Sequence, residues 1–155
     1  MANFNIYKAS AGSGKTYTLV KEYIKQGLIS NGRILHKSLL AITFTNKAAS
    51  EMKTRIVDAL FHFKSGPNIQ NESFKTLYSD LKIELKYTDS QLVEKSTKFL
   101  SDIIHHYGYF SVSTIDKFIH KIIRGFTYEL DLPSNFEVEM DSDKMINDGV
   151  SSLLD

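Results

Sequence analysis

Cysteine is entirely absent from this chain of 155 residues. Without thiols the chain can form no disulfide, no thiolate metal site and no cysteine nucleophile, and zinc fingers are excluded with them. A reducing cytoplasm is the natural compartment for a chain of this composition.

Neither an excess of one charge nor a long apolar run is present. Nineteen Lys and Arg residues oppose 18 Asp and Glu residues, giving a net charge of +1. Any nucleic-acid site must therefore be local. No run approaches the roughly 18 apolar residues of a membrane span, and residues 1–8 lack the pattern of an export signal. We expect a soluble, cytoplasmic protein without membrane contact.

The residues that are present suit a globular unit with a core, since 42% are hydrophobic and 12% aromatic. A short apolar run at residues 4–7 predicts a strand, apolar spacing over residues 18–29 predicts a helix, and residues 38–44 predict a buried strand. This order predicts an α/β fold in which helices flank a parallel sheet.

The same patterns divide the chain into four segments. A capping box of Thr88 and Gln91 predicts the start of one later helix, and Asp116 opens another. The predicted segments are residues 1–67, a β-α-β-α core; 68–107, a helical insert; 108–132, a returning βα unit with its strand at 109–115; and 133–155, the start of a further subdomain that we expect to be truncated. In this last segment we expect one strand and a short closing helix after residue 136.

A phosphate-binding loop is indicated by the sequence YKASAGSGKTYTL, residues 7–19. Gly12 and Gly14 allow the backbone to curl so that its N–H groups point at phosphate oxygens, and the following helix start adds its dipole. Lys15 suits the β- and γ-phosphates and the Thr16 hydroxyl suits Mg²⁺, so both are predicted catalytic residues. The residues predicted to bind ATP are Ala9, which replaces the glycine of the strict pattern, Ser10, Ala11, Gly12, Ser13, Gly14, Lys15 and Thr16.

Three stretches together resemble one family. ASAGSGKT at 9–16 and AITFTNKAASEMKTRI at 41–56 resemble adjoining motifs of superfamily 1 DNA helicases of the UvrD/Rep type. STIDKFIHKIIR at 113–124 is similar to that family's threonine-phenylalanine-histidine-serine segment and the helix after it. The opening motif and the helices before the third stretch look closest to the RecB/AddA helicase–nuclease branch.

The resemblance implies a P-loop NTPase fold, here a partial RecA-like lobe with a helical insert, and a path for single-stranded DNA. Hydroxyl and amide groups at a helix start suit phosphate oxygens, and base stacking tolerates any sequence. The implied DNA contacts are Thr43, Phe44, Thr45, Asn46, Thr114 and Lys117. Two of these residues have an alternative role: Phe44 could pack in the core, and Lys117 could simply lie on a solvated helix face. Asp116 replaces a histidine of the family and would repel phosphate.

The resemblance also implies an activity, that of an ATP-dependent DNA helicase or helicase–nuclease in DNA repair, with ATP and Mg²⁺ as cofactors. Single-stranded DNA and duplex ends are the implied partners. Whether a second helicase–nuclease subunit also binds is left open. The sequence holds no Asp-Glu pair to activate water, so we expect the chain alone to hydrolyse ATP hardly at all. A small-molecule kinase and a nucleotide-sensing, non-catalytic module are the alternatives.

Overall fold

The computed structural model describes residues 5–7, 14–29, 37–127, 129, 131, 146, 150 and 151. The chain divides into two compact units, Met1–Thr114 and Ile115–Asp155. Among the described residues, the first unit contains four α-helices, two short 3-10 helices, two strands and the hydrophobic core, and the second contains one long α-helix.

Helices dominate the described part of the chain, with two short strands between them. In chain order the elements are α1 (Lys15–Ile29), β1 (Ala41–Thr43), α2 (Asn46–Phe63), a 3-10 helix (Gly66–Asn68), α3 (Glu72–Leu85), α4 (Asp89–His105), a second 3-10 helix (Tyr107–Tyr109), β2 (Val112–Thr114) and α5 (Ile115–Gly125). The prediction of helices combined with a parallel sheet is confirmed in this coarse form, although helix far outweighs strand.

The core of the first unit forms where one apolar face from each of α1, α2, α3 and α4 meets the others. In each helix the apolar residues recur at three- and four-residue steps, and burial of the resulting face stabilises the helix more than propensity does. The largest fully buried apolar side chains are Ile24, Leu28, Met52, Ile56, Leu60, Phe63, Leu81, Leu92 and Ile103.

Side-chain caps fix where three of these helices begin. The Thr45 hydroxyl accepts a hydrogen bond from the Ala48 N–H at the start of α2, and the Asn71 side chain caps α3. Thr88 and Gln91 form the reciprocal capping box of α4 that the sequence predicts. Each cap satisfies backbone amides that have no acceptor inside their own helix.

Strands β1 and β2 pair in parallel, and Thr43 lies opposite Thr114 at their carboxyl ends. The connection between them passes through α2, α3 and α4, as a parallel pair requires a long crossover. Each strand has three residues, fewer than the predicted 38–44 and 109–115. Before β2 the chain instead turns, because the Phe110 N–H bonds to the Tyr107 carbonyl.

Two predictions about the apolar runs are wrong in the described residues. Ile42 is predicted to lie in a buried strand but is 40% exposed, because successive side chains of a strand point to opposite faces and only those of Ala41 and Thr43 in β1 are half-buried. Residues 5–7 form no strand, and Ile6 is 73% exposed. A strand is stabilised only beside a hydrogen-bonding neighbour, and the described residues provide none for this segment.

The second unit is described mainly by α5, which confirms the helix predicted from Asp116 onward. None of its residues is buried, and Ile119 and Ile122 are exposed. The strand and closing helix predicted after residue 136 lie outside the described residues, apart from positions 146, 150 and 151.

Candidate functional site

The glycine-rich segment is described from Gly14 onward. Gly14 has a φ of 80°, a left-handed conformation that favours glycine because a side chain would be strained there. The Thr18 N–H donates to the Gly14 carbonyl at 2.9 Å, so helical hydrogen bonding starts as soon as the loop ends. The predicted ATP-binding residues 9–13 lie outside the described residues.

The start of α1 has the properties of an anion site. The N–H groups of Lys15, Thr16 and Tyr17 precede the first helical hydrogen bond, so they have no acceptor within α1. No acidic residue lies in the first turn to offset the positive end of the helix dipole. Lys15 is exposed and Thr16 is partly buried. Amides, an ammonium and a hydroxyl at a helix start fit the phosphate oxygens and magnesium ion of MgATP.

A second group of predicted residues lies where β1 ends and α2 begins. The Thr43 hydroxyl donates to the Thr45 carbonyl at 3.1 Å, and the Thr45 hydroxyl accepts from the Ala48 N–H at 3.1 Å. These bonds hold the connection between β1 and α2 in one conformation. Asn46, the first residue of α2, is exposed. The carboxyl edge of the strand pair therefore presents hydroxyl and amide groups next to a helix N-terminus.

Phe44 is the most exposed large apolar residue of the described chain, at 88%. The alternative that it packs in the core is therefore wrong. It lies between Thr43 and Thr45, whose hydrogen bonds fix the backbone on both sides of it. This solvent-facing ring is available for stacking against a flat apolar surface such as a nucleobase.

The two predicted contacts from the third motif fall in different units. Thr114 pairs in register with Thr43 at the carboxyl edge of the sheet, but it is only 4% exposed. A direct contact from its side chain would require that edge to open. Lys117 and Asp116 are exposed residues of α5, in the second unit.

A row of polar contacts between α1 and α3 was not predicted from the sequence. The Tyr17 hydroxyl donates to Asp80 at 2.8 Å, Lys21 donates to Glu84, and Lys25 donates to the other Glu84 oxygen at 2.9 Å. The pKa of the Tyr17 hydroxyl is raised, first by burial and then by the bond to Asp80, so it keeps its proton and remains a donor. We call these five residues the α1–α3 seam.

Sequence reasoning missed the α1–α3 seam because its partners are 59 to 63 residues apart. The only local signal is spacing. Tyr17, Lys21 and Lys25 recur every four residues on α1, and Asp80 and Glu84 are four residues apart on α3, so each set shares one helix face. Nothing in that spacing identifies which face opposes which.

Two other kinds of feature are absent from the described residues. No group of three or more histidine, aspartate or glutamate side chains is placed there to hold a metal ion. No helix in the same part of the chain is both long enough and apolar enough to cross a bilayer.

The chain matches the family model described as UvrD/REP helicase N-terminal domain over residues 3–154. The resemblance recognised from the three sequence stretches is thereby confirmed. No solved structure gives a significant match to the chain.

Three curated relatives are each named as a subunit of an ATP-dependent helicase/nuclease. The protein from Lactobacillus acidophilus is 34% identical over 136 residues, covering 88% of this chain and 9% of the relative. Those from Bacillus cereus strain AH820 and Bacillus anthracis are each 34% identical over 130 residues, covering 84% of this chain and 8% of the relative. The chain thus spans under a tenth of the length of these relatives.

Proposed function

Because this chain belongs to the UvrD/REP helicase N-terminal domain family, we propose that it is the N-terminal ATP-binding part of an ATP-dependent DNA helicase or helicase–nuclease. The observation that carries the proposal is the start of α1, where Gly14 with a φ of 80° leads directly into Lys15 and Thr16. The family match covers nearly the whole chain, and it favours a helicase over a kinase or a nucleotide sensor.

The fold proposed for the first unit is a partial RecA-like lobe with a helical insert. The parallel pair β1–β2, joined by a helical crossover, supports it, as does a helix that begins at the glycine-rich segment. In this lobe the amides of the first turn of α1 and the Lys15 ammonium would hold phosphate oxygens, and Thr16 would hold Mg²⁺. When bound, MgATP supplies the hydrolysable phosphoanhydride.

The single-stranded DNA surface is proposed at the carboxyl edge of β1, where Thr43, Thr45 and Asn46 present polar groups beside the exposed ring of Phe44. Hydroxyl, amide and N–H groups would bind the sugar-phosphate backbone, and the ring would stack on a base. Neither interaction reads sequence, as movement along DNA requires. Thr114 and Lys117 stay predicted contacts, the first being buried as the chain stands.

The nucleotide site is tested by isothermal titration of this chain with MgATP. We expect binding by the unaltered chain and a loss of about tenfold or more in Lys15→Ala, because a charge-assisted contact to phosphate contributes about 1.5–3 kcal/mol. Lys98→Ala is the matched control, since Lys98 is an exposed lysine of α4. Equal affinities in all three proteins would contradict the site.

The DNA surface is tested by fluorescence anisotropy with a labelled oligothymidine. Phe44→Ala should weaken binding by about 1–3 kcal/mol, the contribution of one stacked base, and should leave the melting temperature nearly unchanged because the ring is exposed. Phe61→Ala is the control, since Phe61 is also an exposed phenylalanine but lies near the far end of α2. An equal loss in both variants would argue against stacking at Phe44.

Motor activity is tested in the full-length protein that carries this segment. ATPase activity stimulated by single-stranded DNA, and abolished by Lys15→Ala, is expected of a helicase but of neither a metabolite kinase nor a nucleotide sensor. The relatives are each named as one subunit of an enzyme, so co-purification in cytoplasmic extract tests the proposed second subunit. Unwinding of duplex ends is measured in the same preparation.

A further inference from the structure

The α1–α3 seam joins the helix that begins at the proposed phosphate site to the first helix of the insert. Tyr17 reaches Asp80, Lys21 lies 4.0 Å from Asp80 and also bonds Glu84, and Lys25 bonds Glu84. Partner numbers rise together along both helices, so the two run in the same direction along this contact. The seam thus extends over about two turns of α1.

The first contact of the seam is next to the phosphate site. Tyr17 directly follows Thr16, and its N–H is one of the three amides of the first turn that lack an acceptor within α1. The ring is partly buried and its hydroxyl is held at 2.8 Å by a carboxylate. Hydrogen bonds to an ionised acceptor are shorter and stronger than neutral ones. Rotation of the first turn about the helix axis would break this bond.

The first turn of α1 has fewer buried residues than its later turns. The fully buried residues of α1 begin at Val20 and continue to Leu28, and in the first turn the partly buried ring of Tyr17 packs against the core. Helix ends fray when tertiary contacts do not hold them. The hydrogen bond from the Tyr17 hydroxyl to Asp80 ties the first turn of α1 to a distant part of the chain.

The charges of the seam are balanced, which matters beside a site for a polyanion. Asp80 and Glu84 alone would repel phosphate, but Lys21 and Lys25 pair with them. The pKa of Glu84 is lowered by its hydrogen bonds from Lys21 and Lys25, and it stays ionised at neutral pH. The seam can therefore anchor α1 without adding net negative charge near Lys15.

We propose that α3 of the helical insert positions the phosphate-binding end of α1, with Tyr17 and Asp80 as the positioning pair. This inference rests on the proposed nucleotide site and identifies how its geometry is set. Tyr17 acts through the backbone of the first turn and not on the phosphates themselves. Loss of the pair lets the first turn adopt several orientations, of which only a fraction can bind nucleotide.

A reciprocal effect follows from thermodynamic linkage. If an intact seam favours nucleotide binding, then bound nucleotide must favour the intact seam by the same factor. MgATP should therefore slow amide hydrogen exchange in α3 around residues 80–84, although these residues lie outside the phosphate site. Any ligand of the folded chain slows the exchange that requires global unfolding. The informative signal is therefore protection of residues 80–84 beyond that of the core amides of α4, present with the pair and lost without it.

The experiment compares Tyr17→Phe, Asp80→Ala and the double variant with the unaltered chain by MgATP titration and hydrogen exchange. Tyr17→Phe keeps the ring and removes only the donor. We expect each single variant to raise the Kd for MgATP about threefold to tenfold, and the double variant to add little more, since one bond is lost in all three. Glu72→Gln, at the exposed start of α3, should leave the Kd unchanged.

The outcomes separate this inference from the function on which it rests. Failure of the unaltered chain to bind MgATP would overturn the proposed nucleotide site and the positioning role with it. If the unaltered chain, Tyr17→Phe and Asp80→Ala all bind MgATP with the same Kd, the positioning role alone is overturned, even where the variants melt at lower temperature. A raised Kd combined with loss of the MgATP-dependent protection of α3 would establish it.

Discussion

Gly27 lies inside α1 because the Phe99 ring of α4 occupies the space where its side chain would stand. A Cβ built on Gly27 would overlap three atoms of that ring. The ring also stacks on Tyr23, with centroids 6.5 Å apart and planes inclined by 27°. The glycine is therefore explained by close approach of two helices, and not by backbone conformation.

Gly27→Ala should destabilise the chain. Overpacking at a buried ring costs about 1–3 kcal/mol, which exceeds the gain of up to about 1 kcal/mol in helix propensity. Thermal denaturation should show a melting temperature lower by several degrees, at roughly 2–4 °C per kcal/mol. Gly125→Ala is the control, since nothing lies within 4 Å of its Cβ position. A rise in melting temperature for Gly27→Ala would show that Phe99 moves aside.

At the scale of elements, α1 combines an apolar face in the core with the polar face of the α1–α3 seam. The apolar face supplies most of the stability, because partly exposed ion pairs contribute at most about 1 kcal/mol each. The polar face joins Tyr17, Lys21 and Lys25 of α1 to two carboxylates of α3.

Glu84→Gln should lower stability in a pH-dependent way. Hydrogen bonds from Lys21 and Lys25 lower the pKa of Glu84 from its ordinary value of 4.5. The contribution of Glu84 to the free energy of unfolding is therefore fully present above pH 4.5. It is lost as the pH falls through the lower pKa that Glu84 has in the folded chain. The same bonds raise the pKa values of both lysines above 10.5, so the contribution persists through neutral pH.

The measurement is the difference in melting temperature between the unaltered chain and Glu84→Gln. A loss of about 0.5–1 kcal/mol in the free energy of unfolding at pH 7 corresponds to a difference of roughly 1–4 °C. That difference should shrink as the pH falls below 4.5 and also in high salt. Glu72→Gln should show a much smaller difference at each pH because its ion pair is exposed. A difference that grows on acidification would mean that the seam does not stabilise the fold.

At the scale of the whole chain, the described hydrophobic core lies entirely within the first unit. Its buried apolar members extend from Val20 to Val112, whereas α5 contributes no buried residue. A chain ending at Thr114 should therefore unfold cooperatively with a melting temperature within a few degrees of that of all 155 residues. Circular dichroism during heating checks this, and a non-cooperative melt of the shortened chain would contradict it.

The helices and their starts were largely predictable because their signals are local. The capping box of Thr88 and Gln91 needs only residues three apart, and the core stripe of α2 repeats every three to four residues. The strand ends were not predictable, because the apolar runs at 38–44 and 109–115 do not specify how many of their residues form hydrogen bonds with a neighbouring strand. Tyr107–Tyr109 forms a 3-10 helix through its own local hydrogen bonds.

The sequence by itself determined the family and the residues proposed to bind the nucleotide. The conformation and hydrogen-bonding groups of the loop around Gly14, Lys15 and Thr16 depend on residues that are neighbours along the chain. Tertiary structure alone decided that Phe44 faces solvent, that Thr114 is buried and that Tyr17 meets Asp80. Burial and pairing depend on which faces of distant helices and strands come together. That choice is made by the free energy of the whole packed unit and by no local pattern.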